Sequence, residues 1–327
     1  MKQEAPSKID THAHYLPPEY LTATQGAFPN GPDGMPGLPT WNAESALETM
    51  DMFNISSSVL SVSSPGVHFG DDAAAQKLAR LVNDQGARLV QDHPSRFGLF
   101  ASLPLPDVKG SLQEIEYAFD TLAADGVVMM SNARGTYLGD RTLDPVFEEL
   151  NRRQAVVFMH PTTAHCPVCH GSGLDFPGPM LEFLFDSTRA VTNLIMSGTL
   201  ARNPDIRLIV PHAGAALPAL AERIAAVASG LRFDDSSKRD EIFAILRALY
   251  YDLAGFPLPT MLRALTDIAD PGKILYGSDW PFTPGNVVER LIEELDATDL
   301  IDDEWRAGIY RNNALELLPR LNAITSS

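Results

Sequence analysis

Gly126–Pro161 reads GVVMMSNARGTYLGDRTLDPVFEELNRRQAVVFMHP, and its three parts decide the fold. Gly126–Asn132 is a short apolar run of strand length, rich in valine and methionine. Thr142–Arg153 follows with helical periodicity, and Thr142 ahead of Asp144 and Pro145 is a helix start signal. Ala155–Pro161 is a second β-branched run. Strand, helix, strand in that order is the unit from which parallel sheets are built.

Moving outward from this unit, the same alternation fills the chain. Strand-like runs occur at Ser7–His12, Ile55–Ser63, Phe97–Leu105, Gly126–Asn132, Ala155–Pro161, Ile206–His212, Leu249–Ala254 and Lys273–Asp279. Helical segments lie at Asn42–Met52, Asp71–Asp92, Ser111–Ala124, Thr142–Arg153, Pro179–Arg202, Ala215–Ser229, Pro257–Ile268 and Val287–Leu295. Eight strand–helix repeats predict an α/β protein, a single (β/α)8 TIM barrel over residues 1–327. A doubly wound open sheet is the competing architecture, but no G-x-G-x-x-G follows any run. The Pro/Gly-rich stretch Gly26–Pro39 is expected to be a long loop over the barrel mouth. Asp302–Leu321 is expected to be a closing helix used for packing or oligomer contacts.

Composition narrows the function. Lys plus Arg number 25 against 42 Asp plus Glu, a net charge of −17, which disfavours nucleic acid as a partner. Two cysteines cannot staple 327 residues, so a reducing compartment, the cytoplasm, is expected. The start MKQEAPSKIDTHAHYL has no uninterrupted apolar stretch, and no run elsewhere is long enough to suggest a membrane span.

The chemistry gathers at strand ends. His12 and His14 form H-x-H at the end of the first strand, where period-two alternation puts both on one face. His160 ends the fifth run, VVFMHP; His212 ends the sixth, IRLIVPH; Asp279 ends the eighth, ILYGSDWP. Each alone has an ordinary structural explanation, since H-x-H is a weak motif and an Asp after Gly-Ser is commonly a cap. Together they occupy the barrel end from which catalytic residues come. Three or four imidazoles and one carboxylate match the donor set of a divalent transition metal with an open position.

IDTHAH, VVFMHP, VPHAG and YGSDWP together resemble the amidohydrolase superfamily. The similarity is to its branch of metal-dependent decarboxylases, typified by aminocarboxymuconate-semialdehyde decarboxylase, and runs from Ile9 to about Leu318. PDGMPGLPTW, SVSSPGVH and FGLFASLPLPD are similar to the 6-methylsalicylate decarboxylases. The resemblance implies one metal per chain held by His12, His14, His160 and Asp279, with His212 beside the substrate. Zinc is expected ahead of manganese, both of which occur in this branch. Binuclear relatives use a carbamylated lysine on strand four, but here that strand is GVVMMSN and no lysine lies between Lys109 and Lys238.

Two arginine positions bear on the substrate. The aminocarboxymuconate enzymes carry an arginine in the first helix, where this chain has Ala46 and Glu48. A dicarboxylate is therefore a poor fit, since a buried unpaired carboxylate is costly, and a monocarboxylic hydroxybenzoate fits better. Arg223, eleven residues after His212, matches a family arginine that reaches a neighbouring subunit's site, which implies a homodimer. A surface arginine is its plain alternative. HCPVCH, with His165, Cys166, Cys169 and His170, is expected to be a pocket loop rather than a second zinc site or redox pair. His68, after strand two, is a candidate substrate contact, and His93 is expected to be structural.

The expected reaction is metal-dependent, non-oxidative decarboxylation of an aromatic hydroxy acid, 6-methylsalicylate or a related hydroxybenzoate, to a phenol. His212 and Asp279 are the expected acid–base pair. A mononuclear hydrolase or hydratase on the same scaffold is the rival enzyme, and a metal-binding barrel without turnover is the rival outside enzymes.

Overall fold

The structure is a computed structural model that describes residues 7–164, 176–231 and 237–325. Eight parallel strands stand in chain order: β1 Lys8–His14, β2 Ile55–Ser61, β3 Phe97–Ser102, β4 Gly126–Met130, β5 Val156–His160, β6 Arg207–Val210, β7 Tyr250–Asp252 and β8 Ile274–Leu275. The sheet curls until its first and last strands meet. Thr11 N–H donates to the Tyr276 carbonyl (3.0 Å), His14 N–H to that of Trp280 (2.8 Å), and Ala13 forms a parallel bridge with Trp280. This is the expected (β/α)8 barrel. The strands are buried on both faces, so they read as near-continuous apolar runs.

The helices that follow each strand are α1 Ala43–Met52, α2 Asp72–Asp92, α3 Val108–Asp120, α4 Asp144–Arg152, α5 Glu182–Met196, α6 Leu217–Ala228, α7 Thr260–Leu265 and α8 Gly285–Ala297. Caps explain several starts: Asn42 accepts from Ser45 N–H, Asp71 from Ala74 N–H and Asp107 from Gly110 N–H. The stretch expected as one helix over Pro179–Arg202 breaks at Gly198, which sits at φ +74°. Pro18–Ala27 and Ser237–Ala248 are additional helices. The first buries only Tyr20 and Thr24 and the second only Ile242, Phe243 and Leu246, so neither has a long apolar stripe to announce it.

The C-terminal segment is not one helix. It runs as Asp303–Ala307, a π-turn at Gly308–Asn312, Asn313–Leu317 and, past a break before Pro319, Pro319–Thr325. Its apolar side plugs the barrel's N-terminal end: Ala314, Leu317, Leu318 and Leu321 pack with Ile9, Phe100, Phe158 and Ile209 of the strands. Arg320 locks the plug, donating to Asp125 Oδ1 (2.8 Å) and to the Phe97 carbonyl (2.9 Å). With one end sealed by hydrocarbon, polar groups collect at the other. No helix among the described residues is long and apolar enough to cross a membrane.

Candidate active site

β1 carries His12 and His14 on one face, as the alternation requires, and both are fully buried. His160 ends β5 and is buried too. Asp279 lies just past β8, where its N–H donates to the His12 carbonyl (2.8 Å). One ligand atom from each of these four residues falls in a set spanning no more than 4.8 Å. Asp279 Oδ1 is 3.2 Å from His14 Nε2 and 3.5 Å from His12 Nε2. Neither nitrogen is aligned to hydrogen-bond it, and both are buried without a partner among the described residues. Lone pairs converging on empty space, rather than on each other, are what a cation needs.

The far side of each ring sets its tautomer. His12 Nδ1 donates to Asp252 Oδ2 (2.9 Å), His14 Nδ1 to Ser61 (3.1 Å to Oγ, 3.2 Å to the carbonyl) and His160 Nδ1 to the Pro161 carbonyl (2.7 Å). With Nδ1 engaged in each case, Nε2 is the nitrogen that each ring turns toward the cluster. The donor set therefore fits one divalent metal held by three imidazoles and one carboxylate.

In the metal-free protein the acids around His12 keep one extra proton on its ring, which a metal would displace. Burial works to lower His12, but Asp252, Asp279 and Asp10 around it outweigh burial and push it up to about 9. Burial would raise Asp279, and the imidazoles of His14, His12 and His212 instead hold it well below the usual carboxylate range. Burial lowers His14, His160 and His212, which are therefore neutral at neutral pH. His212 stands outside the four-residue set; its ring centroid is 5.1 Å from that of His12 and its Nδ1 is buried without a partner among the described residues. Both His212 (φ +55°) and Asp279 (φ +57°) sit in the left-handed region, a cost of about 1–3 kcal/mol each. Gly277 permits the approach of this segment to β1, because a Cβ there would come within 2.7 Å of His12 Cβ.

Two acids that hold the site were passed over in the sequence. Asp252, at the end of β7, accepts from His12 Nδ1 and also from the N–H groups of His212 and Ala254 (both 3.0 Å). Its signal was available: it is the acid inside the seventh run, LYYDLA. Asp10 accepts from the N–H groups of His12 and Ser278 (both 3.0 Å) and from Ser278 Oγ, and burial pushes its carboxyl up to about 6.

Beside the cluster a cavity of about 680 Å³ opens at the strands' C-terminal ends. Its walls mix apolar side chains, Phe28, Val67, Phe69, Leu105 and Met130 among them, with polar ones such as Ser102, Asn132 and Thr162. The four ligands do not line it; Thr162, two residues beyond His160, does. Phe28, Asp33 and Gly34 from the Pro/Gly-rich segment also line it, and Asp33 accepts from Thr163 N–H (3.2 Å) and Thr163 Oγ1. His68 lines it with both nitrogens engaged, Nε2 to Asp72 Oδ1 (2.8 Å) and Nδ1 to Gly70 N–H (3.2 Å). β4 presents Val128 and Met130 to the cavity and carries no lysine. Arg223 is exposed on α6 and does not line the cavity of its own chain. His165, Cys166, Cys169 and His170 lie outside the described residues.

Known proteins are similar to this chain over the whole barrel. A 6-methylsalicylic acid decarboxylase of Penicillium expansum is 35% identical over 97% of this chain and 98% of its own. A crystal structure of an amidohydrolase II superposes with a TM-score of 0.90 at 37% identity, covering 96% of this chain and 100% of that one. The dihydroxybenzoic acid decarboxylase of Polaromonas sp. JS666, solved with bound manganese, has the same fold with a TM-score of 0.83 at 22% identity, over 96% and 97% of the two chains. Residues 9–320, from the strand that carries H-x-H to the plug that seals the barrel, match the amidohydrolase family, and the chain belongs to it.

Proposed function

We propose that this protein is a carboxy-lyase that decarboxylates an aromatic hydroxy acid without oxidation, with 6-methylsalicylate or a near relative as substrate and a phenol as product. One observation carries the reading. Three Nε2 atoms and a carboxylate gather within 4.8 Å of one another beside a cavity of about 680 Å³ with polar and apolar walls, within the range of small-molecule sites. A 35% identical relative is named for the same reaction.

His12, His14, His160 and Asp279 would hold one divalent metal, which supplies Lewis acidity toward the substrate's carboxylate and adjacent phenol oxygen. The nitrogen-rich set suits zinc, with manganese the alternative carried by a decarboxylase of the same fold. Asp279 starts as a carboxylate, so the proton it delivers comes from elsewhere, and the substrate's phenol can supply it. Asp279 takes that proton and passes it to the ring carbon bearing the carboxylate. The C–C bond then breaks, its electrons return to the ring, and carbon dioxide leaves. His212, neutral and next to the cluster, relays a solvent proton to the resulting phenolate.

A homodimer completes the proposal. Arg223 shares α6 with exposed Val227, and exposed Met180, Leu181 and Phe185 stand at the start of the neighbouring α5. Exposed apolar side chains on these two elements suit a C2 interface that delivers Arg223 to the partner's substrate. The cytoplasm is the compartment that the two-cysteine composition suits. The test is elemental analysis of purified protein, then a salicylate panel assayed for carbon dioxide and phenol. Metal-loaded protein that releases neither, or that yields a hydration or hydrolysis product instead, refutes the reading.

A further inference from the structure

After β4 the chain turns back in a hairpin, Asn132–Ala133 pairing with Thr136–Tyr137. Arg134 and Gly135 form its tip at φ +54° and +88°, the positive φ at both central residues that a type I′ turn requires. A fully buried carboxylate anchors this hairpin. Asp186 of α5 accepts from Ser131 Oγ, from Asn132 Nδ2 (3.0 Å) and from the Tyr137 hydroxyl. Ser131 Oγ also accepts from Thr162 N–H (3.1 Å), so the same knot fixes the cavity wall next to His160. Arg189 on the same helix stands 3.8 Å from Asp186 Oδ1, so the buried acid is paired as well as hydrogen-bonded and can fix the turn. What it holds in place is Arg134.

Arg134 is exposed, lines the cavity, and makes no hydrogen bond or ion pair with any described residue. Its guanidinium lies over the backbone at Gly70, where a Cβ would be 3.2 Å from Nη1. Among the described lining residues it is the one fixed positive charge. His68 faces Asp72, and the acids on the wall are Asp33 and Glu182. The whole chain carries −17, so an aromatic carboxylate approaching it is repelled.

We propose that Arg134 is the docking cation at the cavity mouth, which captures the aromatic monocarboxylate before it reaches the metal-ligand cluster. The assignment rests on the substrate class proposed above. A cation acting at capture lowers KM and leaves the chemical step alone. It also weakens as salt screens it.

The experiment is steady-state turnover of 6-methylsalicylate by wild type, Arg134→Gln and Arg134→Lys at low and high sodium chloride, with calorimetric titration of salicylate alongside. Arg134→Gln is expected to raise KM about five- to tenfold at low salt with kcat unchanged, and to flatten the salt dependence. Arg134→Lys should retain most of the effect, and Arg134→Gly, which suits the left-handed turn, should match Arg134→Gln if the loss is one of charge. An unchanged KM and salt dependence in Arg134→Gln, or a fall in kcat at constant KM, overturns the assignment. If wild type turns over no hydroxybenzoate, the proposed reaction fails instead. The salicylate titration then still decides Arg134: weaker binding in Arg134→Gln upholds it, and equal binding overturns it.

Discussion

Replacing Asp252 with Asn tests whether the metal cluster is set by the tautomer of His12. The two carboxylate oxygens have different partners. Oδ1 accepts two backbone N–H groups, from His212 and Ala254, and Oδ2 accepts His12 Nδ1–H. An Asn side chain must put its one oxygen where two donors point, since facing both with an amide NH2 would leave two buried N–H groups unpaired, at about 1–3 kcal/mol each. Its NH2 then faces His12 Nδ1, a donor against a donor. His12 escapes by moving its proton to Nε2, which removes the lone pair aimed at the cluster. Losing such an orienting partner typically costs 10–100-fold in metal affinity, about 1.4–2.7 kcal/mol. Metal retained per chain against a graded chelator series, with kcat/KM on the same samples, reads this directly. Wild-type metal affinity in Asp252→Asn refutes the tautomer reasoning. If turnover is nonetheless slow, the carboxylate matters through the His212 backbone it holds.

Three further outcomes follow from the same geometry. His160→Ala should lose metal by elemental analysis, whereas His212→Ala should keep it and lose about 10²-fold or more in turnover; a metal-free His212→Ala would make His212 a ligand. His12, with its folded value near 9 above an ordinary 6.5, contributes stability to metal-free protein that is complete below pH 6.5 and is lost as pH rises through about 9. Loading at pH 7 should accordingly release about one proton per chain, with apparent metal affinity climbing about tenfold per pH unit up to about pH 9; a flat profile in chelator competition contradicts this. Mixing His212→Ala with Arg223→Ala under subunit exchange should restore about a quarter of wild-type activity if Arg223 crosses a dimer interface, and none if it serves its own chain.

Most of the barrel could be read from the chain because strands buried on both faces leave short continuous apolar runs and helices that bury one stripe leave a period. All eight strand-like runs overlap a strand, with ends moved by a few residues. What escaped had no period to leave. Pro18–Ala27 and Ser237–Ala248 bury two and three residues each. The hairpin at residues 132–137 is made of two-residue strands held by Asp186, more than fifty residues further on, so no local pattern contains it. The C-terminal break follows from Pro319, but its purpose as a plug is visible only once strands from the whole chain form a ring around it.

The site divides along a similar line, between side chains that touch a ligand and atoms that aim them. The ligands are rare residue types at a recognisable place, the end of a strand. Two of the three groups that orient the histidines include backbone carbonyls, at Ser61 and Pro161, and a carbonyl has no identity in a sequence. The third, Asp252, is legible only if the seventh run is judged by the rule applied to the first, fifth, sixth and eighth. Closure of the barrel then does what no motif could. The segment that completes the ring, through Trp280 to β1, is the one that carries Gly277 and Asp279 past His12. Asp279 hangs its own N–H on the His12 carbonyl, so the carboxylate and its neighbouring imidazole are placed by the hydrogen bonds that join the barrel's two edges. A change that loosens this seam, such as a side chain at Gly277, should separate the ligands before it unfolds the barrel, because the plug holds the opposite end independently.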